Sequence, residues 1–221
     1  MTLDALKRLA SLGEGQHLEF KHRVPRPEKI AREVIALANT GGGKLLLGVE
    51  DDGTVLGVRD VQEEAFALAD ALRSCCDPPV EGIRVASVPV SRRREALVVD
   101  VPNSPDKPHF LVEEQEGRQP RRTAFVRARD ESIVASREAV RLMRADTSDA
   151  GVRFEFGDKE RRLMEYLDRF ERVTVAEFAR MADVPKRSAS HTLVLLTRAG
   201  VLAHHADARE DHFTLAYGTA A

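Results

Sequence analysis

Asn39-Thr40-Gly41-Gly42-Gly43-Lys44-Leu45-Leu46-Leu47-Gly48-Val49-Glu50-Asp51-Asp52-Gly53 is the stretch that decides the fold. Just before it, Ile30, Val34, Leu37 and Ala38 recur at helical spacing behind Pro27, which suits the first turn of a helix. The Asn-Thr-Gly-Gly-Gly run stops that helix. Residues 44–50 then read as a buried strand, Asp51-Asp52-Gly53 as a hairpin turn, and 54–58 as the returning strand. Helix, glycine loop, strand reverses the order of a phosphate-cradling P-loop, which runs strand, loop, helix and follows its Lys with Ser or Thr. Leu45 follows Lys44 here. The glycines therefore read as a helix stop and a tight strand entry, and ATP binding is the weakest of the functional readings.

Outward from that stretch, Leu3, Leu6, Leu9 and Leu12 predict a first helix ended by Gly13, and 17–21 a short alternating strand. Residues 62–76 predict another helix, stopped by Asp77-Pro78-Pro79. Residues 83–90, 96–101 and 123–129 read as strands and 136–144 as a helix.

The chain has 221 residues, enough for one large domain or two small ones. With nine Phe, two Tyr and no Trp, its core must come from aliphatic side chains. The 34 basic residues against 36 acidic ones give a net charge of −2, which excludes a uniformly basic coat for nucleic acid but leaves room for local basic patches. Cys75 and Cys76 are the only cysteines and are adjacent, which suits neither a disulfide framework nor a zinc site. No run approaches the roughly 18 apolar residues of a membrane span, and the start lacks a signal-peptide stretch. The expectation is a soluble cytoplasmic protein with no membrane partner.

Asp146-Thr147-Ser148-Asp149-Ala150-Gly151 is small and polar, so the chain is divided into a domain at 1–145, a linker at 146–154 and a second domain at 155–221. In the second, 158–170 is a helical pattern. Thr174-Val175-Ala176-Glu177 is a capping box opening a short helix, and Pro185 opens another that ends at Gly200. Two short strands, 201–203 and 213–217, close the chain. Helix, helix, turn, helix and a two-stranded wing resemble a winged helix-turn-helix. In such a module the third helix enters the major groove of DNA. Its early residues here are Lys186, Arg187, Ser188, Ser190 and His191, short or cationic donors. The wing is less favourable, because it mixes His204, His205 and Arg209 with Asp207, Glu210 and Asp211.

Glu14-Gly15-Gln16-His17-Leu18-Glu19-Phe20-Lys21, Ala38–Gly43, Leu47-Gly48-Val49-Glu50-Asp51-Asp52-Gly53, Lys107-Pro108-His109 and Val126-Arg127-Ala128-Arg129 together resemble the Schlafen-type AlbA-like domain. The likeness covers about residues 13–143, and a typical member has Gly where this chain has Ala128 or Arg129. It implies an α+β fold and nucleic-acid binding. Bacterial members often join this domain to a helix-turn-helix and are described as transcriptional regulators. A single lobe is half of the cleft in two-lobed Schlafen cores, so a homodimer is expected, with a palindromic site as its counterpart.

Two chemistries compete within that domain. The first is binding to DNA, or to RNA. Arg118, Arg121, Arg122, Arg127 and Arg129 lie in a stretch without an acid, and strand alternation puts Arg121, Thr123, Phe125, Arg127 and Arg129 on one face. The arginine fork suits phosphate. Lys29, Arg32 and the loop 92–94 extend the patch. The second chemistry is hydrolysis. Some Schlafen relatives are endoribonucleases with two glutamates five residues apart and a later aspartate. The resemblance then implies Glu14, Glu19 and Asp51 or Asp52 as ligands of Mg²⁺ or Mn²⁺, with Lys21 steadying negative charge. Binding without a cofactor, as a DNA-binding regulator rather than an enzyme, is the leading expectation.

Overall fold

The computed structural model describes residues 1–146 and 156–216 and divides the chain into two compact units, Met1–Val134 and Ala135–Ala221. The first unit is built on α2 (Pro27–Asn39), nine of whose thirteen residues are buried. A helix with apolar side chains nearly all round needs covers on several sides. One side of α2 meets Leu45, Leu47, Leu97, Val99 and Val101 of a four-stranded sheet ordered β1-β2-β5-β4. Its strands are β1 (Leu18–Lys21), β2 (Gly43–Leu47), β4 (Arg84–Ser91) and β5 (Arg94–Val101). Only β1 and β2 run parallel. α3 (Val61–Cys75) lies beside α2 over that face.

The opposite face carries the alternate residues Leu46, Ala96 and Val98, covered by Leu6 and Ala10 of α1 (Leu3–Ala10). A second sheet, β3-β6-β7-β8, comprises β3 (Cys76–Asp77), β6 (Phe110–Glu113), β7 (Arg121–Ala128) and β8 (Glu131–Val134). Ala31 and Ile35 of α2 pack against its Cys76 and Leu111 and against Cys75. The predicted returning strand at 54–58 is absent. Gly48 and Gly57 cross so closely that a Cβ on Gly48 would lie 2.7 Å from Gly57 Cα, and Val55 and Val58 make only isolated bridges. β6 and β8 arise where the sequence suggested loop.

Polar side chains link α2 to the second sheet. Asn39 donates through Nδ2 to the carbonyls of His109 (3.0 Å) and Phe125 (2.9 Å) and accepts the His109 amide at 2.9 Å. The larger link is Arg127 on β7, whose side chain is wholly buried. Its Nη1 donates to Glu19 of β1 at 2.6 Å, to Glu33 of α2 at 3.4 Å and to Ser132 at 3.1 Å. Its Nη2 donates to the carbonyls of Gly15 (2.7 Å) and Asp130 (2.9 Å). Nε alone lacks a partner. The β7–β8 turn, Arg129-Asp130, places Arg129 at φ 59°, the left-handed first position that Gly usually fills.

In the second unit, α5 (Asp158–Phe170), β9 (Arg172–Val173), α6 (Val175–Ala182), α7 (Lys186–Arg198), β10 (Leu202–His205) and β11 (His212–Leu215) enclose Leu163, Phe178, Leu193 and Phe213. The small sheet has the order β10-β11-β9, and the arrangement is consistent with a winged helix. The capping box forms, Thr174 Oγ1 accepting the Glu177 amide at 3.3 Å and Glu177 accepting the Thr174 amide at 2.8 Å. α4 (Arg137–Asp146) falls in this unit, although the sequence grouped it with the first. It is held to α7 because Ser190 donates to Glu138 and accepts from Arg141 at 2.9 Å. The sequence-based linker lies outside the described residues, apart from the backbone of Asp146.

Replacing Arg127 with Met removes one charge and leaves Glu19 and Glu33 buried with less compensation. The expected loss of folding stability is about 3–5 kcal/mol. Arg127→Lys keeps the charge but not the five-donor fork, and should recover only part of it. Urea denaturation of the three proteins checks this; a Met variant within about 1 kcal/mol of wild type contradicts it.

Candidate nucleic-acid interface

The arginine stripe read from alternation is not a stripe. The face of β7 that carries Thr123, Phe125 and Arg127 is the one that α2 covers, so Arg127 turns inward and cannot reach phosphate. Arg121 and Arg129 are exposed at either end. Arg122 is exposed on the other face, where it pairs with Asp77 at 2.8 Å and sits 4.9 Å above the Phe110 ring. What remains of the patch is a shallow groove of 250 Å³ between α2 and the paired strands β6 and β7. Lys29, Arg32 and Arg121 line it with Phe125, opposed by Glu28 and Glu113. Arg32 donates to Glu33 Oε1 through Nε at 3.2 Å and Nη2 at 2.7 Å.

On α7, Lys186, Arg187 and His191 are exposed and Ser188 is partly so. Ser190 is buried under α4 and spends its hydroxyl on Glu138 and Arg141, which removes it from the set of base-reading candidates. Pro185 caps the start of α7, and the first turn contains no acidic residue. The free amides and positive dipole end of that helix are thus not neutralised from within.

The four candidate carboxylates, Glu14, Glu19, Asp51 and Asp52, differ from one another. Glu14 Oε1 accepts the Phe20 amide at 2.8 Å. Burial pushes its carboxyl above the usual range; the Phe20 amide opposes that, the nearby Glu19 and Asp51 charges add to it, and Lys21 works against it. Asp51 is therefore the aspartate whose charge reaches Glu14. Asp52 is turned to its own loop, where the hydroxyl and amide of Thr54 hold its carboxyl below the usual range. Glu19 is only 4% exposed. Its Oε1 is bonded to Lys21 and its Oε2 to Arg127, so both oxygens are already matched to cations. Among the described residues no three His, Cys, Asp or Glu side chains converge as metal ligands. The donor set thus does not fit Mg²⁺ or Mn²⁺ as it stands, since Glu19 would first have to give up Arg127 or Lys21.

Glycine-rich residues 41–43 face the chain itself. A Cβ on Gly42 would lie 2.6 Å from the Asn103 amide nitrogen, and one on Gly43 2.5 Å from the His17 carbonyl. Close backbone approach, and not a phosphate, accounts for these two glycines.

Glu33 escaped the sequence reading although it is the second carboxylate on Arg127. A signal was present: it lies three residues after Ile30 and four before Leu37, on the buried face of α2. An acid in that position requires an internal cation.

Among the described residues, no helix is long and apolar enough to cross a membrane. A comparison with curated proteins finds no match. Among solved structures, the chain is similar to the DIP2311 protein from Corynebacterium diphtheriae, with 20% identity and a TM-score of 0.44 over 66% of this chain. The chain spans 33% of the length of that protein. The family described as "Schlafen, AlbA_2" matches residues 14–136, more than half of the chain, and takes in all of the first unit from Glu14 onward. The chain belongs to the Schlafen AlbA_2 family.

Proposed function

We propose that the protein binds nucleic acid and acts as a DNA-binding transcriptional regulator. The observation that carries this reading is the start of α7, where Lys186, Arg187 and His191 are exposed on a helix whose first turn holds no acid. A helix that begins in this way attracts phosphate through its amides and dipole, and presents cationic side chains at the same end. In the first unit, the groove lined by Lys29, Arg32, Arg121 and Phe125 offers a second place for backbone contact. The near-balanced net charge of −2 limits such contact to these patches, so nonspecific binding is modest and falls steeply with salt. The protein works as a cytoplasmic homodimer on a two-fold site. A monomer by light scattering at the concentration of binding removes the dimer from this reading.

Replacing Lys186 and Arg187 with Ala should weaken duplex binding about tenfold or more and lower the slope of log K against log salt by about 2. Fluorescence anisotropy across a salt series measures both. Affinity and slope equal to wild type would remove α7 from the interface.

Metal-dependent hydrolysis of RNA is the competing reading, favoured by the electrostatic coupling of Glu14, Glu19 and Asp51. The pairing of both Glu19 oxygens weighs against it. The expected result is that structured RNA incubated with the protein and Mn²⁺ stays intact. Cleavage that requires Mn²⁺, and is lost when Glu14 and Glu19 are both Ala, would replace the binding reading with the nuclease one.

A further inference from the structure

Beside the carboxylates lies a recess of 480 Å³ that the binding reading does not use. Its apolar walls are Leu9, Leu12 and Leu18; its polar groups are Glu14, His17 and the Lys44–Asp100 ion pair. Leu12 is 76% exposed, an aliphatic side chain held in solvent at the rim. A volume of this size, with apolar walls and a few polar groups, is large enough for a small organic ligand.

The polar groups select what can enter. Two carboxylates stand against one ammonium, and that ammonium is committed to Asp100. His17 Nδ1 donates to the Gly42 carbonyl at 2.7 Å, because a carbonyl can only accept; in the neutral ring Nε2 is then an acceptor. Glu14 Oε1 has one lone pair on the Phe20 amide, and Oε2 accepts no hydrogen bond among the described residues. The recess is thus acceptor-rich and acidic. A phosphate is repelled from it, whereas a neutral group with N–H donors on a flat apolar body is matched.

We propose that this recess takes one unpaired guanine of a bound nucleic acid, its edge on Glu14 and its faces against Leu9, Leu12 and Leu18. This rests on the nucleic-acid reading above and adds a base subsite to it. Guanine alone among the four bases sets two donors, N1–H and the 2-amino group, side by side without an acceptor between them. A carboxylate, which only accepts, pairs with that edge in a bidentate manner. Adenine and cytosine place a ring acceptor beside their amino group and would meet Glu14 with one lone pair facing another. Extrusion costs least for a base that is already unpaired, which points to a loop or single strand.

The test is kethoxal footprinting, because kethoxal adds across N1 and the 2-amino group of unpaired guanine. The full chain is bound to a DNA hairpin, and to its RNA counterpart, each with one guanine in the loop. The loop guanine should be protected by about tenfold, and Glu14→Gln and Leu12→Gln should each abolish most of that protection. Leu12 is too exposed for its replacement to unfold the chain, so an unchanged melting profile of Leu12→Gln keeps the result readable even if Glu14→Gln is destabilised. A loop guanine that stays fully reactive while the hairpin is bound overturns the subsite and leaves the binding reading standing. Protection that is unchanged in both variants does the same. Failure to bind any hairpin or duplex overturns the binding reading, and the subsite with it.

Discussion

Removing a guanidinium from water costs several kcal/mol even after relaxation, and Arg127 is buried completely. Such a group is tolerated only where fixed acceptors surround it, and the first unit supplies them from several separate pieces of chain. Glu19 comes from β1 in the first sheet, Glu33 from the middle of α2, Ser132 from β8, and the Gly15 and Asp130 carbonyls from the flanking turns. One side chain therefore ties the edge of the first sheet, the central helix and the second sheet together. A buried ion set is weak evidence for stability against an apolar alternative. Its directional bonds nonetheless fix the positions of these elements, and hydrophobic contacts between α2 and its two covers do not carry that direction.

The same constraint explains why local patterns gave part of this unit and not the rest. Alternation along β7 correctly puts Thr123, Phe125 and Arg127 on one side, because the two-residue period is a property of the strand itself. It does not say what lies on that side. The arginine spacing is the same for a solvent-facing stripe and for a face closed by α2. Ser190 repeats the lesson on a helix: its place early in α7 is legible, whereas its burial depends on α4, a neighbour some fifty residues away in sequence. Where the signal is local, as in the capping box at Thr174 and Glu177 or the Pro27 start of α2, sequence and structure agree. β6 and β8 carry no clear local signal, because strands of four residues depend on pairing with β7 more than on their own composition.

Arg129 shows a tension of the opposite kind. A two-residue turn joins β7 to β8, and its first position requires a left-handed backbone that β-carbon sterics disfavour. The chain has an exposed arginine there. With Arg127 buried, Arg121 at the start of β7 and Arg129 just beyond its end remain at the surface. Holding a cation at a position that prefers glycine exchanges some backbone ease for charge at the rim.

The distribution of charge then follows from what Arg127 and Lys21 neutralise. Both oxygens of Glu19 are matched, which leaves Glu14, with Asp51 nearby, as the acidic element at this end of β1. An acidic recess with apolar walls is a poor place for a phosphodiester backbone and a reasonable one for a base. On the proposed reading, phosphate is held elsewhere, at exposed cations such as Lys29 and Arg121, while a base approaches Glu14. The net charge of −2 is the sum of these opposed surfaces. Affinity from the cationic patches and discrimination from the acidic one are separable in principle, because salt screens the first far more than it weakens a bidentate hydrogen bond in a recess.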